Sequence, residues 1–383
     1  MTILLLTVLA ASAAAFAVAV RSAVAGFGGG ILLLPVFTVL FGLRVAVPMF
    51  TLTPLSSNDS RQGLVHRQAV DHQRPLESGV PPDVNPTSQP RGGAPRAIIG
   101  GVQTAAGIVL AGGRSTRMGE PKAGLEWHGS TLLYRTTALL ARTVGGPVVV
   151  VAAPGQVLPP LPAGVRVVED PVEGLGPMQG VAAGLAAVAD RAAVAFVCST
   201  DMPFLHPAFI HRVLRGLTNA GVDMVMPVAR GFRQPLAAGY RTTLAGLVAN
   251  LIAQGNLRPG MLLKHCNVTQ LDDAQLLADT ELARHDPMLE SVVNVNTPED
   301  YAAARERLPS EIMVECFGAL AGGDRHRPRN VRAATLGAAA ASVGLALDRY
   351  VVAALNGDQI TREARLPLVA GDTVAFLSAD AGG

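Results

Sequence analysis

Between residues 105 and 308, short Val-rich runs recur, and most give way to a stretch of helical period. The runs at 106–111, 147–152, 165–168, 193–198, 222–227 and 291–295 lack polar alternation, the pattern of strands buried on both faces. Helical patterns lie near 131–143, 177–189, 207–219 and 298–307. Strands alternating with helices in this way predict an α/β fold built on a mostly parallel sheet. Ligands of such sheets bind at the carboxyl ends of the strands, so residues just after each run carry the functional argument.

Three other zones flank this one. Residues 1–55 are almost continuously apolar, residues 56–104 are rich in Ser, Pro, Gly, Gln and Arg and read as a linker, and residues 311–383 begin a new strand pattern. Hydrophobic residues make up 49% of the chain and charged ones 16%, which excludes bulk disorder. A net charge of +2 and 4% aromatic residues exclude an electrostatic or stacking-based nucleic-acid binder. Cys198, Cys266 and Cys316 are widely spaced with no CxxC, which argues against a disulfide framework or zinc site and fits a cytoplasmic protein.

The first run leads into Leu110-Ala111-Gly112-Gly113-Arg114-Ser115-Thr116-Arg117-Met118-Gly119-Glu120-Pro121-Lys122. Glycines let backbone N–H groups approach a phosphate, and cations neutralise it, so a polyphosphate is the expected ligand. Neither GxxxxGK[ST] nor GxGxxG with a later acidic residue is present. Asp201 follows the fourth run and, with Ser199 and Thr200, offers hard oxygens suited to Mg²⁺; its alternative is a helix cap before Pro207. Asp170 ends the third run, as a nucleotide contact or as a turn residue before Pro171. Gly174-Leu175-Gly176-Pro177 opens a helix and is either an anion site or a plain entry turn. Thr297-Pro298-Glu299-Asp300 is a helix start, and Asn294 and Asn296 interrupt an apolar strand on one face.

Residues 110–133 (LAGGRSTRMGEPKAGLEWHGSTLL) resemble the signature of molybdenum cofactor guanylyltransferases. Stretches 167–185, 196–205, 233–241 and 294–304 match the same family in the same order. The resemblance implies a Rossmann-like nucleotidyltransferase domain over 105–308, which transfers GMP from GTP to the phosphate of molybdopterin and releases pyrophosphate. It sets Leu110, Ala111, Gly112, Gly113, Arg114, Lys122, Asp170 and Asp201 at the nucleotide, with Asp201 the Mg²⁺ ligand. Gly176, Gly180, Asn294 and Asn296 fall to the second substrate, and Arg117, Lys122 and Asp201 to the transferring phosphate. Related cytidylyltransferases usually read LAAG where this chain has LAGG, so guanine is expected, with a cytidylyl- or other nucleotidyltransferase as the alternative. Many members carry an Asn after the second strand where this chain has Ala152-Ala153-Pro154-Gly155, and Pro121-Lys122 stands for the common Asp-Lys.

Residues 312–320, an Ala-rich helix over 333–347, the hairpin signal Asn356-Gly357 and 370–383 suggest ββαβ-type ordering. This resembles the ubiquitin-like (β-grasp) sulfur carriers, including the small subunit of molybdopterin synthase. The resemblance implies a carrier terminus at Gly383, with an adenylating enzyme and the synthase large subunit as partners. The usual Pro-Pro is replaced by Ser378-Ala379-Asp380-Ala381, which leaves a degenerate carrier as the other reading. At the opposite end, 26–37 and 56–71 resemble the start of sulfite-exporter-type transporters. Residues 2–20 are long enough to span a bilayer, so 1–55 is expected to be either a membrane anchor or a vestige. A sulfur-carrier or membrane protein with an inert middle domain is the non-enzymatic alternative.

Overall fold

The computed structural model describes residues 104–113, 118–171, 176–218, 221–322 and 327–379. The expected apolar segment 1–55 and all of the linker but Thr104 lie outside them. Among the described residues no helix is long and apolar enough to cross a membrane.

The chain enters at β1 (Ala105–Leu110), buried along its whole length. A small hairpin follows, β2 (Glu126–Trp127) and β3 (Ser130–Thr131), which leads into α1 (Leu132–Val144). Thr131 caps α1 by accepting from Tyr134 N, and Gly145 ends it in the left-handed conformation. Next come β4 (Gly145–Ala152), β5 (Arg166–Glu169), α2 (Pro177–Val188) and β6 (Val194–Ser199). Then α3 (Pro207–Arg215), β7 (Met224–Ala229), β8 (Phe232–Arg233), β9 (Ala237–Arg241) and α4 (Leu244–Ala253) follow. β10 (Val268–Asp272), α5 (Asp273–Leu277), α6 (Thr280–His285) and α7 (Pro298–Arg305) complete this part.

These strands form one mixed sheet in the order β10-β7-β9-β6-β1-β4-β5, with β8 paired to β7. β1 pairs in parallel with both β4 and β6, and β9 runs antiparallel between β6 and β7. Helices cover both faces. Leu133, Leu140, Phe209 and Val213 pack on one side, Met178, Leu185, Val248 and Leu251 on the other, so the strands carry no polar alternation. A Cβ on Gly184 would lie 2.4 Å from Ile108 Cγ2, so this glycine lets α2 settle directly on β1. After β1 the chain goes to β4 and β5 on one side, then crosses to β6 on the other. The crevice between the carboxyl ends of β1 and β6 is therefore the switch point of the sheet.

One expected strand of this sheet does not form. Residues 291–295 are not a strand: Glu290–Val292 is a 3-10 turn, and the chain beyond it runs extended without sheet pairing. The carboxylate of Asp286 accepts from Glu290 N (2.6 Å) and Ser291 N (3.0 Å), holding the turn despite its β-branched composition.

A second sheet follows: β11 (Glu311–Cys316), β12 (Arg329–Arg332), β13 (Val351–Leu355), β14 (Gln359–Thr361) and β15 (Thr373–Ser378). Helix α8 (Leu336–Ser342) lies between β12 and β13 in the chain and buries Leu336, Ala339 and Ala340 against Ile312, Val314 and Phe376. The sheet order is β12-β11-β15-β13-β14, with β11 and β15 parallel at its centre. The ordering is thus ββαβββ rather than ββαβ, and the helix is shorter than the Ala-rich run. Asn356 (φ 54°) and Gly357 (φ 85°) form the β13–β14 turn, with Asp358 N donating to Leu355 O at 3.3 Å. Positive φ at both central residues makes it type I′. All described residues fall within one compact unit, Pro90–Gly383.

Candidate active site

A cleft of about 1010 Å³ lies at the switch point, against the ends of β1, β4 and β6 and the start of α2. Its floor is fixed by backbone bonds: Ala111 N donates to Val151 O (2.8 Å) and Asp170 N to Ala152 O (2.8 Å). Thr200 donates to Leu110 O through both N (3.2 Å) and Oγ1 (3.0 Å), which ties the end of β6 to the end of β1.

At the centre of the rim, Asp201 accepts from Ser199 Oγ at Oδ1 (2.5 Å) and from Lys122 Nζ at Oδ2 (2.8 Å). Lys122 Nζ also donates to Asn296 Oδ1 at 2.8 Å. One cation thereby joins residues 79 and 174 positions away in the chain. The Lys122 and Asp201 side chains are 19% and 14% exposed, open enough to meet a ligand and sheltered enough to keep their geometry. Lys122 starts the 3-10 turn Lys122–Gly124, held by Gly124 N donating to Pro121 O (3.1 Å). Below it Leu125 and Trp127 pack with Leu132 and Val295, and Trp127 meets Phe204 edge-on.

Val295 is what brings the two asparagines here. Its side chain is buried in that cluster and its N–H donates to Asp201 O (2.9 Å). Asn294 and Asn296 on either side remain exposed to the cleft. Thr297 and Asp300 form a reciprocal capping box that starts α7 immediately after them.

Of the residues singled out from sequence, Leu110, Gly112, Gly113, Asp170, Gly176, Gly180, Asp201, Asn294 and Asn296 line the cleft. Ala111 adjoins it through the loop after β1, and Lys122 reaches it through its bonds to Asp201 and Asn296. Gly176 caps α2 at φ 76°, ψ −173°, a conformation closed to other residues. Asp201 does not cap α3; His206 does, accepting from Ala208 N. Arg114, Arg117, Gly174 and Gly383 lie outside the described residues.

Two residues without a sequence signal shape the site. Gln156 Oε1 accepts from Ala153 N (2.9 Å) and its Nε2 donates to Ala111 O (3.1 Å), bridging the loops after β4 and β1. Arg135, within α1, donates through Nε to Pro203 O (2.8 Å), two residues beyond Asp201. Cys198 is fully buried, and burial, with Asp201 adding to it, pushes its thiol above the usual range.

A divalent cation fits this donor set in one way only. Asp201 and Ser199 offer oxygens, yet no group of three or more His, Cys, Asp or Glu residues converges among the described residues. Mg²⁺ would take its remaining ligands from phosphate and water, its usual habit at nucleotide sites.

Residues 107–268 match the MobA-like NTP transferase domain. A Mycobacterium tuberculosis protein named "Probable molybdenum cofactor guanylyltransferase" is 41% identical over 165 residues, covering 41% of this chain and 78% of its own length. A Mycobacterium avium protein of the same name is 41% identical over 153 residues, 39% of this chain and 76% of that one. Among solved structures, molybdopterin-guanine dinucleotide biosynthesis protein A of Archaeoglobus fulgidus is 24% identical, covering 52% of this chain and 97% of its own, with a TM-score of 0.42.

Proposed function

The chain belongs to the MobA-like NTP transferase family, and from that premise we propose that it is a molybdenum cofactor guanylyltransferase. An oxygen of the molybdopterin phosphate attacks the α-phosphorus of GTP. A new P–O bond forms, the bond to the β-phosphate oxygen breaks, and pyrophosphate leaves with the electron pair. A phosphate nucleophile is already ionised near neutral pH, so no general base is required.

The observation that carries this reading is the convergence of Lys122, Asp201 and Asn296 at the sheet's switch point. In the proposed assignment Asp201 and Ser199 hold the cation, and Lys122 supports the transferring phosphate. Asn294 and Asn296 orient the pterin. Bound Mg²⁺ supplies positive charge to the triphosphate oxygens. Catalysis is then positioning and electrostatics on the protein's side. Guanine over cytosine is favoured by LAGG at 110–113, where related cytidylyltransferases usually read LAAG; a Cβ on Gly112 would stand 3.2 Å from Ala153 N, crowding the loop after β4 at the edge of the cleft.

Residues 105–308 are read as the transferase domain and 311–383 as a β-grasp module of the sulfur-carrier type. The strand order β12-β11-β15-β13-β14, with a parallel central pair, supports the second reading. The test of the main reading is pyrophosphate release by the full chain. Release that requires both GTP and molybdopterin, and that CTP does not support, is expected. Release with GTP alone, or none with both substrates present, would overturn it.

A further inference from the structure

The loop 369–372, which precedes β15, is built into the transferase core. Val369 packs in the same cluster as Leu282, Leu289 and Phe209. Asp372 accepts from Nη1 and Nη2 of Arg142, in the last turn of α1, at 3.1 and 2.9 Å, with both side chains 5% exposed. Its two oxygens also accept from Asn356 Nδ2 (3.0 Å) and Val369 N (2.8 Å), so the buried carboxylate has four donors. Next to it, Ala370 O accepts from His206 Nε2 (2.9 Å). Gly371 (φ 83°) makes this approach feasible, since a Cβ there would sit 2.2 Å from His285 Cε1.

These contacts bracket the turn that carries Asp201. Arg135 holds that turn through Pro203 O, and His206 closes it as the cap of α3. Arg135 and Arg142 lie on one helix, seven residues apart and both buried. Burial first, then Arg142, pushes the Arg135 guanidinium down to about 10, with Asp372 opposing that fall. Asp372 thus grips the same helix from which Arg135 anchors the catalytic turn.

We propose that Asp372 is a positioning residue for guanylyl transfer, acting across the two sheets through Arg142 and the Ala370–His206 contact to fix the Asp201 turn. The loop 369–372 is on this view a required brace of the transferase rather than a passenger. The inference rests on the guanylyltransferase reading above.

The experiment uses the full chain. Asp372→Asn keeps the shape of the side chain and removes its charge. It should lower kcat for pyrophosphate release about tenfold with KM for GTP within about twofold, because a displaced turn costs reactive geometry more than binding. Phe376→Leu, at a fully buried site in the second sheet's core, loosens that module without touching the loop and should hold kcat within about twofold. Arg142→Lys keeps the charge but loses the two-pronged contact, should lower kcat about threefold, and answers the same question if Asp372→Asn does not fold. Parental turnover in Asp372→Asn and Arg142→Lys, or an equal loss in Phe376→Leu, overturns the proposal. An inactive parent chain instead overturns the guanylyl reading and takes this inference with it.

Discussion

His206 ties the protein's stability to its protonation. The imidazole is 8% exposed, and its two nitrogens have fixed roles. Nδ1 accepts from Ala208 N (3.1 Å), and Nε2, facing only the Ala370 carbonyl, must carry the proton. A second proton at Nδ1 would point at the Ala208 N–H and destroy the cap of α3. Burial lowers this histidine from 6.5 to about 4, Arg142 and the stacked His285 add to the fall, and Asp372 and the Ala370 bond oppose it. Because the folded value is depressed, the unfolded chain binds more protons between about pH 6.5 and pH 4. The contribution is complete above that window and is lost as pH falls through it. From about pH 7 to about pH 4.5 the loss is about 2.5 kcal/mol. Denaturant unfolding of the parent and of His206→Asn at both pH values isolates this effect. Asparagine can still cap α3 but has no proton to gain. The parent should lose about 2.5 kcal/mol more than the variant. Equal losses in the two proteins would refute the neutral, doubly bonded histidine.

Lys122→Met should lower kcat by about 10² or more while changing unfolding stability by less than about 1 kcal/mol, since its ion pair is partly solvated. A stability loss with unchanged turnover would make Lys122 structural. Gly112→Ala should raise KM for GTP about fivefold with kcat nearly unchanged, through pressure on the Ala153 backbone; steady-state kinetics at varied GTP checks this, and an unaltered KM would remove Gly112 from base recognition. Gly184→Ala should destabilise by about 1–3 kcal/mol in chemical denaturation, because its methyl would overlap Ile108. An unchanged unfolding midpoint would contradict the close packing of α2 on β1.

Much of the sheet was legible because β1, β4 and β6 are covered on both faces and so appear as uninterrupted apolar runs. Of the loop after β1, Gly112 and Gly113 line the cleft at the end of that strand, where ligands of such sheets bind. Residues 291–295 misled because Val292, Val293 and Val295 have strand composition, whereas the Asp286 carboxylate decides the local backbone. β9 gave no signal: it is five residues with two alanines and a glycine, and its place between β6 and β7 follows from antiparallel pairing to both. The convergence of Lys122 with Asn296, and of Arg142 with Asp372, depends on contacts 174 and 230 residues apart, which no local pattern records.

In the proposed mechanism Asp201 offers one carboxylate to a cation that arrives with the triphosphate. Electron paramagnetic resonance of Mn²⁺, used in place of Mg²⁺, measures this directly in the full chain with and without GTP. Weak Mn²⁺ binding by the protein alone, binding beyond that of free GTP when both are present, and loss of that gain in Asp201→Asn are expected. Tight binding of Mn²⁺ without nucleotide, or an unchanged gain in Asp201→Asn, would contradict it.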